Sequence, residues 1–104
     1  MVEEIIWSER AEKSFQNIID YLLTHFTERE ASRFILKVKD KISFININPM
    51  MYPAAIKRKN IHSTSILRRT KMFYQYYPRK KLVLILLFWD MRQDPKQLRS
   101  LLRS

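Results

Sequence analysis

The chain of 104 residues contains no glycine and no cysteine. Without cysteine there are no disulfides, no thiolate metal sites and no thiol nucleophile. Without glycine there is no glycine-rich phosphate loop, and a turn that needs positive φ must take Asn or Asp instead. Histidine is scarce: His25 and His62 are too few for a usual zinc site unless carboxylates complete it. No metal and no cofactor is expected. Long hydrophobic runs are also missing. The longest, Leu82–Trp89, covers eight residues, against roughly 20 for a membrane-spanning helix. The opening Met1-Val2-Glu3-Glu4 has neither the basic nor the apolar segment of a signal peptide. A cytoplasmic protein without a membrane partner is the expectation.

Acidic residues are nearly missing from the second half. From residue 51 onward there are thirteen Lys or Arg and two acids, Asp90 and Asp94, a formal +11. Residues 1–50 hold seven bases and eight acids, a formal −1. The basic half also carries four of the five tyrosines, and such a surface suits an anionic partner, either a nucleic acid or an acidic protein. With 46% apolar residues the chain can bury a core, so the charge does not imply a disordered tail. Its length makes one domain, 1–104, the default.

Periodicity supplies the elements. Glu3–Trp7 reads as a short strand. Ser8 offers an N-cap, and Ala11, Phe15, Ile18, Ile19, Leu22, Leu23 and Phe26 recur at helical spacing. Thr27 and Glu30 make a capping box for a second helix through Ala31, Phe34, Ile35, Val38, Ile42 and Ile45, closed by Asn46, Asn48 and Pro49. Helices so close in sequence pack as an antiparallel hairpin. Pro49–Asn60, with the basic triplet Lys57-Arg58-Lys59, reads as a long solvated loop. Ile61–Arg69, Met72–Tyr77 and Leu82–Trp89 then read as strands, with turns at Thr70-Lys71 and Pro78-Arg79-Lys80, and short connections favour antiparallel pairing. The last strand is apolar at every position, which places it centrally with both faces covered. Asp94-Pro95 starts a terminal helix through Leu98, Leu101 and Leu102. The expected fold is α+β: an N-terminal strand, a two-helix hairpin, a mainly antiparallel sheet and a short C-terminal helix.

That order resembles the RelE/ParE superfamily of bacterial toxins, from Glu3 to about Leu98. The likeness also rests on Trp7-Ser8-x-x-Ala11 opening the first helix, on Phe73-Tyr74-Gln75-Tyr76 in a strand, and on Asp90-Met91-Arg92-Gln93-Asp94-Pro95 after the last strand. The resemblance implies the toxin half of a type II toxin–antitoxin pair, of the kind linked to plasmid stabilization and growth inhibition, held by an acidic cognate antitoxin. ParE-like members inhibit DNA gyrase by binding. RelE-like members cleave messenger RNA in the ribosome. A degenerate, non-toxic antitoxin-binding protein is a third reading. ParE-like inhibition by binding is the expected function.

Target or antitoxin binding is assigned to Arg68, Arg69, Lys71, Tyr74, Tyr76 and Arg92. RNA cleavage without metal needs a base, an acid and cations around the phosphorane; Arg92, Lys71 and Tyr74 are the residues such chemistry would use, and no acid–base set completes them. Each has a plainer role beside it. Lys71 reads as a solvated turn lysine, Tyr74 and Tyr76 as packing residues on one strand face, and Arg92 as a clamp on Asp90 or Asp94. His62 reads as a structural strand histidine rather than a general base.

Overall fold

A computed structural model describes residues 2–103 as an α+β fold of β1 (Glu4–Trp7), α1 (Glu9–His25), α2 (Glu28–Ile47), β2 (Ala54–Ile56), β3 (Ile61–Leu67), β4 (Thr70–Tyr77), β5 (Leu82–Asp90) and α3 (Pro95–Arg103). The strands form one sheet in the order β1-β5-β4-β3-β2. Neighbours are antiparallel except for β1, which runs parallel to β5.

The helix starts follow from local chemistry. Ser8 Oγ accepts the Ala11 N–H at 3.0 Å, Thr27 Oγ1 accepts that of Glu30 at 3.2 Å, and Asp94 Oδ1 accepts that of Lys96 at 2.9 Å. Each such bond satisfies a donor that the helix itself leaves open, worth about 1 kcal/mol. The apolar stripes of α1 and α2, including Phe15, Ile18, Leu22, Phe34 and Val38, pack over one face of the sheet on Met72, Tyr74, Ile85 and Phe88. On the other face Leu98 and Leu102 of α3 pack on Ile61, Phe73, Leu87 and Trp89. The stripe on α1 stops short of its expected end, since Leu23 and Phe26 are exposed.

Strand β5 is apolar throughout because both of its faces are covered. A register shift opposite Phe73/Tyr74 adds one residue to β5, so Val83 and Ile85 face the helical hairpin and then Phe88 does, while Leu87 and Trp89 face α3. A bulge of this kind inverts the alternation along a strand. As expected, β5 is an interior strand, flanked by β4 on one side and β1 on the other.

Two further expectations are corrected. The turn between β3 and β4 is Arg68-Arg69, and Thr70 and Lys71 belong to β4, paired with Asp90 and Trp89. A two-residue turn leaves both guanidiniums in water, whereas a strand would send one of them toward the core. The segment Pro49–Asn60 is not an open loop: it holds β2 and a 3-10 turn at Lys57–Lys59. Lys59 is not merely solvated, because its ammonium donates to the carbonyls of Leu102 at 3.2 Å and Arg103 at 2.8 Å, capping the C-terminal end of α3.

Strand β1 pairs with β5 as far as Ile85. Beyond it, Leu86–Asp90 continues without a strand on that side, and two hydroxyls take over. Ser8 Oγ donates to the Leu86 carbonyl at 2.7 Å, and Ser14 Oγ accepts the Phe88 N–H at 2.9 Å. A bare strand edge is thereby closed by α1.

Candidate functional site

Where β1 stops, an open groove of about 1730 Å³ runs along the end of β5. Its floor is Leu86–Asp90; α1 lines it through Arg10, Lys13, Asn17 and Tyr21, and α3 through Leu101 and Leu102. Arg33 of α2, Arg68, Arg69, Arg92 and Lys59 add positive charge, against three acids, Glu9, Glu30 and Asp90.

Each of those acids is ion-paired: Glu9 with Lys13 at 3.1 Å, Glu30 with Arg33 at 3.2 Å, and Asp90 with Arg92 at 2.6 Å. The last pair is a fork. Arg92 Nη2 donates to Asp90 Oδ2 at 2.6 Å and Nε to Oδ1 at 3.1 Å, and the Arg92 main-chain N–H also donates to Oδ1 at 2.9 Å. The side-chain bonds from Arg92 are the largest influence holding the Asp90 carboxyl below its usual range; partial burial opposes them, and the Arg92 N–H and the charges of Arg92 and Arg69 reinforce them. Asp90 in turn pushes the Arg92 guanidinium up, with Tyr21 adding to the effect. The Met91 N–H donates to the Arg69 carbonyl at 2.7 Å, tying the β3–β4 turn to the segment that carries Arg92. Arg68, Arg69 and Arg92 thus converge at one end of the groove.

The other assigned residues lie elsewhere. Lys71 sits directly opposite Trp89 on one side and Ser65 on the other. Opposed residues share a sheet face, so Lys71 is on the α3 face, outside the groove lining. Tyr74 has no exposed surface. Its hydroxyl donates to the Pro49 carbonyl at 2.9 Å, its ring stacks on His62 at 5.4 Å, and burial pushes its ionisation well above the ordinary tyrosine value. Tyr74 is therefore a core residue. Tyr76 packs against the same core. By alternation the β4 tyrosine that reaches the groove is Tyr77, whose hydroxyl donates to Gln75 Oε1 at 2.8 Å. His62 is buried, with Nδ1 2.8 Å from the Tyr52 carbonyl and Nε2 2.8 Å from Asn60 Oδ1, and it stays outside the groove. Among the described residues no three of His, Asp and Glu come together as a metal site, and no helix is long and apolar enough to cross a membrane.

Sequence reasoning passed over Tyr21, Tyr77 and Arg33. Tyr21 carries a faint signal, an aromatic ring off the apolar stripe of α1, and its ring lies tilted against that of His25, with centroids 4.7 Å apart, while 46% exposed. Trp89 Nε1 is buried without a hydrogen-bond partner among the described residues, which nothing in the sequence indicated.

Solved structures share this architecture. The chromosomal ParDE system from P. aeruginosa superposes with a TM-score of 0.66 at 11% identity, over 85% of this chain and 94% of that one. The isolated E. coli RelE toxin gives 0.61 at 14% identity, over 95% of each chain. The intact E. coli RelBE toxin–antitoxin complex gives 0.50 at 15% identity, over 81% and 90%. At such identities the likeness speaks for the fold, which is that of the RelE/ParE superfamily. No curated protein sequence matches the chain. Residues 5–95 match the family described as the ParE toxin of the type II toxin–antitoxin system parDE, and the chain belongs to that family.

Proposed function

We propose that the chain is the toxin half of a type II toxin–antitoxin pair, kept inactive by an acidic antitoxin lying in the groove between α1 and α3. It acts in the ParE-like manner, by binding a target such as DNA gyrase. The observation that carries this reading is the balance of groups in the groove. Arg10, Arg68 and Arg69 line it without an ion pair among the described residues, while all three of its carboxylates are committed to cations. Asp90, whose carboxyl the Arg92 fork holds below the usual range, is a weak proton acceptor, and His62 lies elsewhere. Such a surface is suited to recognition of an anion rather than to acid–base chemistry on RNA. The solved ParDE and RelBE assemblies support an antitoxin as the partner.

The test is induction of the chain with and without the neighbouring gene, followed by two assays on the arrested cells. Arrest relieved by the neighbour, loss of plasmid supercoiling and no new messenger-RNA ends are expected. New ends inside codons would move the chain to the RelE-like mechanism, and harmless expression would make it a degenerate antitoxin binder.

A further inference from the structure

We propose that Asp90 is an internal competitor for Arg92, occupying the site that a carboxylate of the acidic partner takes in the complex. The inference rests on the partner being acidic, and it goes further by naming the subsite and the residue that guards it. Asp90 presents both carboxylate oxygens to Nε and Nη2 of Arg92, the planar fork by which arginine recognises carboxylates. The Arg92 side chain is nonetheless 54% exposed, so an incoming carboxylate can reach the guanidinium. Arg68 and Arg69 line the same groove, the Arg69 carbonyl accepting the Met91 N–H next to Arg92, and both are exposed with no carboxylate at ion-pair distance among the described residues. A partner carboxylate therefore enters a field of three guanidiniums, of which one is already neutralised.

The surroundings favour a polypeptide over a nucleic acid. Tyr21, Phe26 and Met91 are 46%, 58% and 42% exposed. Tyr21 and Phe26 line the groove, and Met91 adjoins Arg92 in the chain. An acidic segment with apolar side chains next to its carboxylates fits that pattern. Asp90 lowers the affinity for general anions, because any ligand must displace it or share its arginine, and this raises selectivity for a partner that also covers the apolar flank.

Asp90→Asn separates this role from a structural one. The amide oxygen still accepts the Arg92 N–H and keeps the turn, while the negative charge is gone. Binding of poly-L-glutamate to the full chain, followed by fluorescence anisotropy, should tighten by about threefold or more in Asp90→Asn. Asp40→Asn, an exposed acid of α2 away from the groove, changes net charge equally and should give a smaller gain. In an Arg92→Gln background the Asp90→Asn gain should vanish. Melting curves for every variant confirm folding. The inference is overturned if Asp90→Asn gains no more than Asp40→Asn, if the gain survives Arg92→Gln, or if it appears with oligodeoxythymidylate and not with poly-L-glutamate. Wild-type binding with no special gain at Asp90 sinks this inference alone, whereas no binding of poly-L-glutamate by any variant removes the acidic-partner reading with it.

Discussion

The hydroxyl of Ser14 accepts the main-chain N–H of Phe88 at 2.9 Å, across 74 residues of sequence. This bond and the one from Ser8 to the Leu86 carbonyl hold α1 against the part of β5 that β1 does not reach. The groove exists because the sheet edge is closed by helix hydroxyls and not by another strand. Ser8→Ala removes both an N-cap and an edge bond and should cost about 2 kcal/mol. Ser14→Ala should cost about 1 kcal/mol, softened by the better helix propensity of Ala. Urea unfolding of the two variants checks the order: Ser8→Ala is the more damaging.

Tyr74→Phe separates a core role of this tyrosine from a binding role. Loss of the hydroxyl bond to Pro49 should lower stability by about 1 kcal/mol, while binding to the acidic partner, measured per folded molecule, stays unchanged. Weakened binding in a fully folded Tyr74→Phe protein would return Tyr74 to the binding surface.

The absence of glycine leaves a mark at two turns. Asn60 and Lys81 adopt left-handed conformations, with φ of 55° and 51°. Asn tolerates this region, but Lys strains there by about 1 kcal/mol. Lys81→Gly relieves the strain and loses the Glu3 ion pair at 3.7 Å, an exposed contact of small worth. A modest rise in melting temperature is expected, and Lys81→Val should lower it.

The pH dependence follows from Asp90. Its carboxyl is held below the usual range in the folded chain, so the unfolded chain binds the proton more readily. The stabilisation it contributes is complete above the unfolded value, about 3.9, and is lost as pH falls through the lower folded value. The wild type should therefore lose more stability than Asp90→Asn as pH drops below about 4. Melting temperatures of the two proteins, measured in parallel from neutral to acid pH, show the converging curves or exclude them.

What could be read from the sequence was local. Ser8, Thr27 and Asp94 act as helix caps because a cap involves residues two or three apart. The Asp90–Arg92 clamp spans two residues and was visible for the same reason. Strand β2 was missed because Ala54 and Ala55 carry no strand preference; its pairing with Ile61 and His62 sets it. Moving the β3–β4 turn to Arg68-Arg69 put Lys71 into a strand and onto the α3 face. Alternation along β4 then made Tyr77, not Tyr74 or Tyr76, the strand tyrosine of the groove. Tyr21 and Arg33 join the site only because the helical hairpin lies across the end of the sheet, a tertiary relationship that no short window of sequence contains.

We propose that the groove arginines Arg68, Arg69 and Arg92 of this ParE-family chain bind the target as well as the antitoxin. Gyrase-catalysed DNA supercoiling, assayed with the purified wild type and with an Arg68→Gln, Arg69→Gln, Arg92→Gln variant shown to be folded, tests it most directly. The wild type should block supercoiling and the variant should lose at least about tenfold in potency, the sum of several charge contacts at roughly 0.5–1 kcal/mol each. Undiminished supercoiling at wild-type concentrations that arrest growth, or equal inhibition by the variant, contradicts the claim.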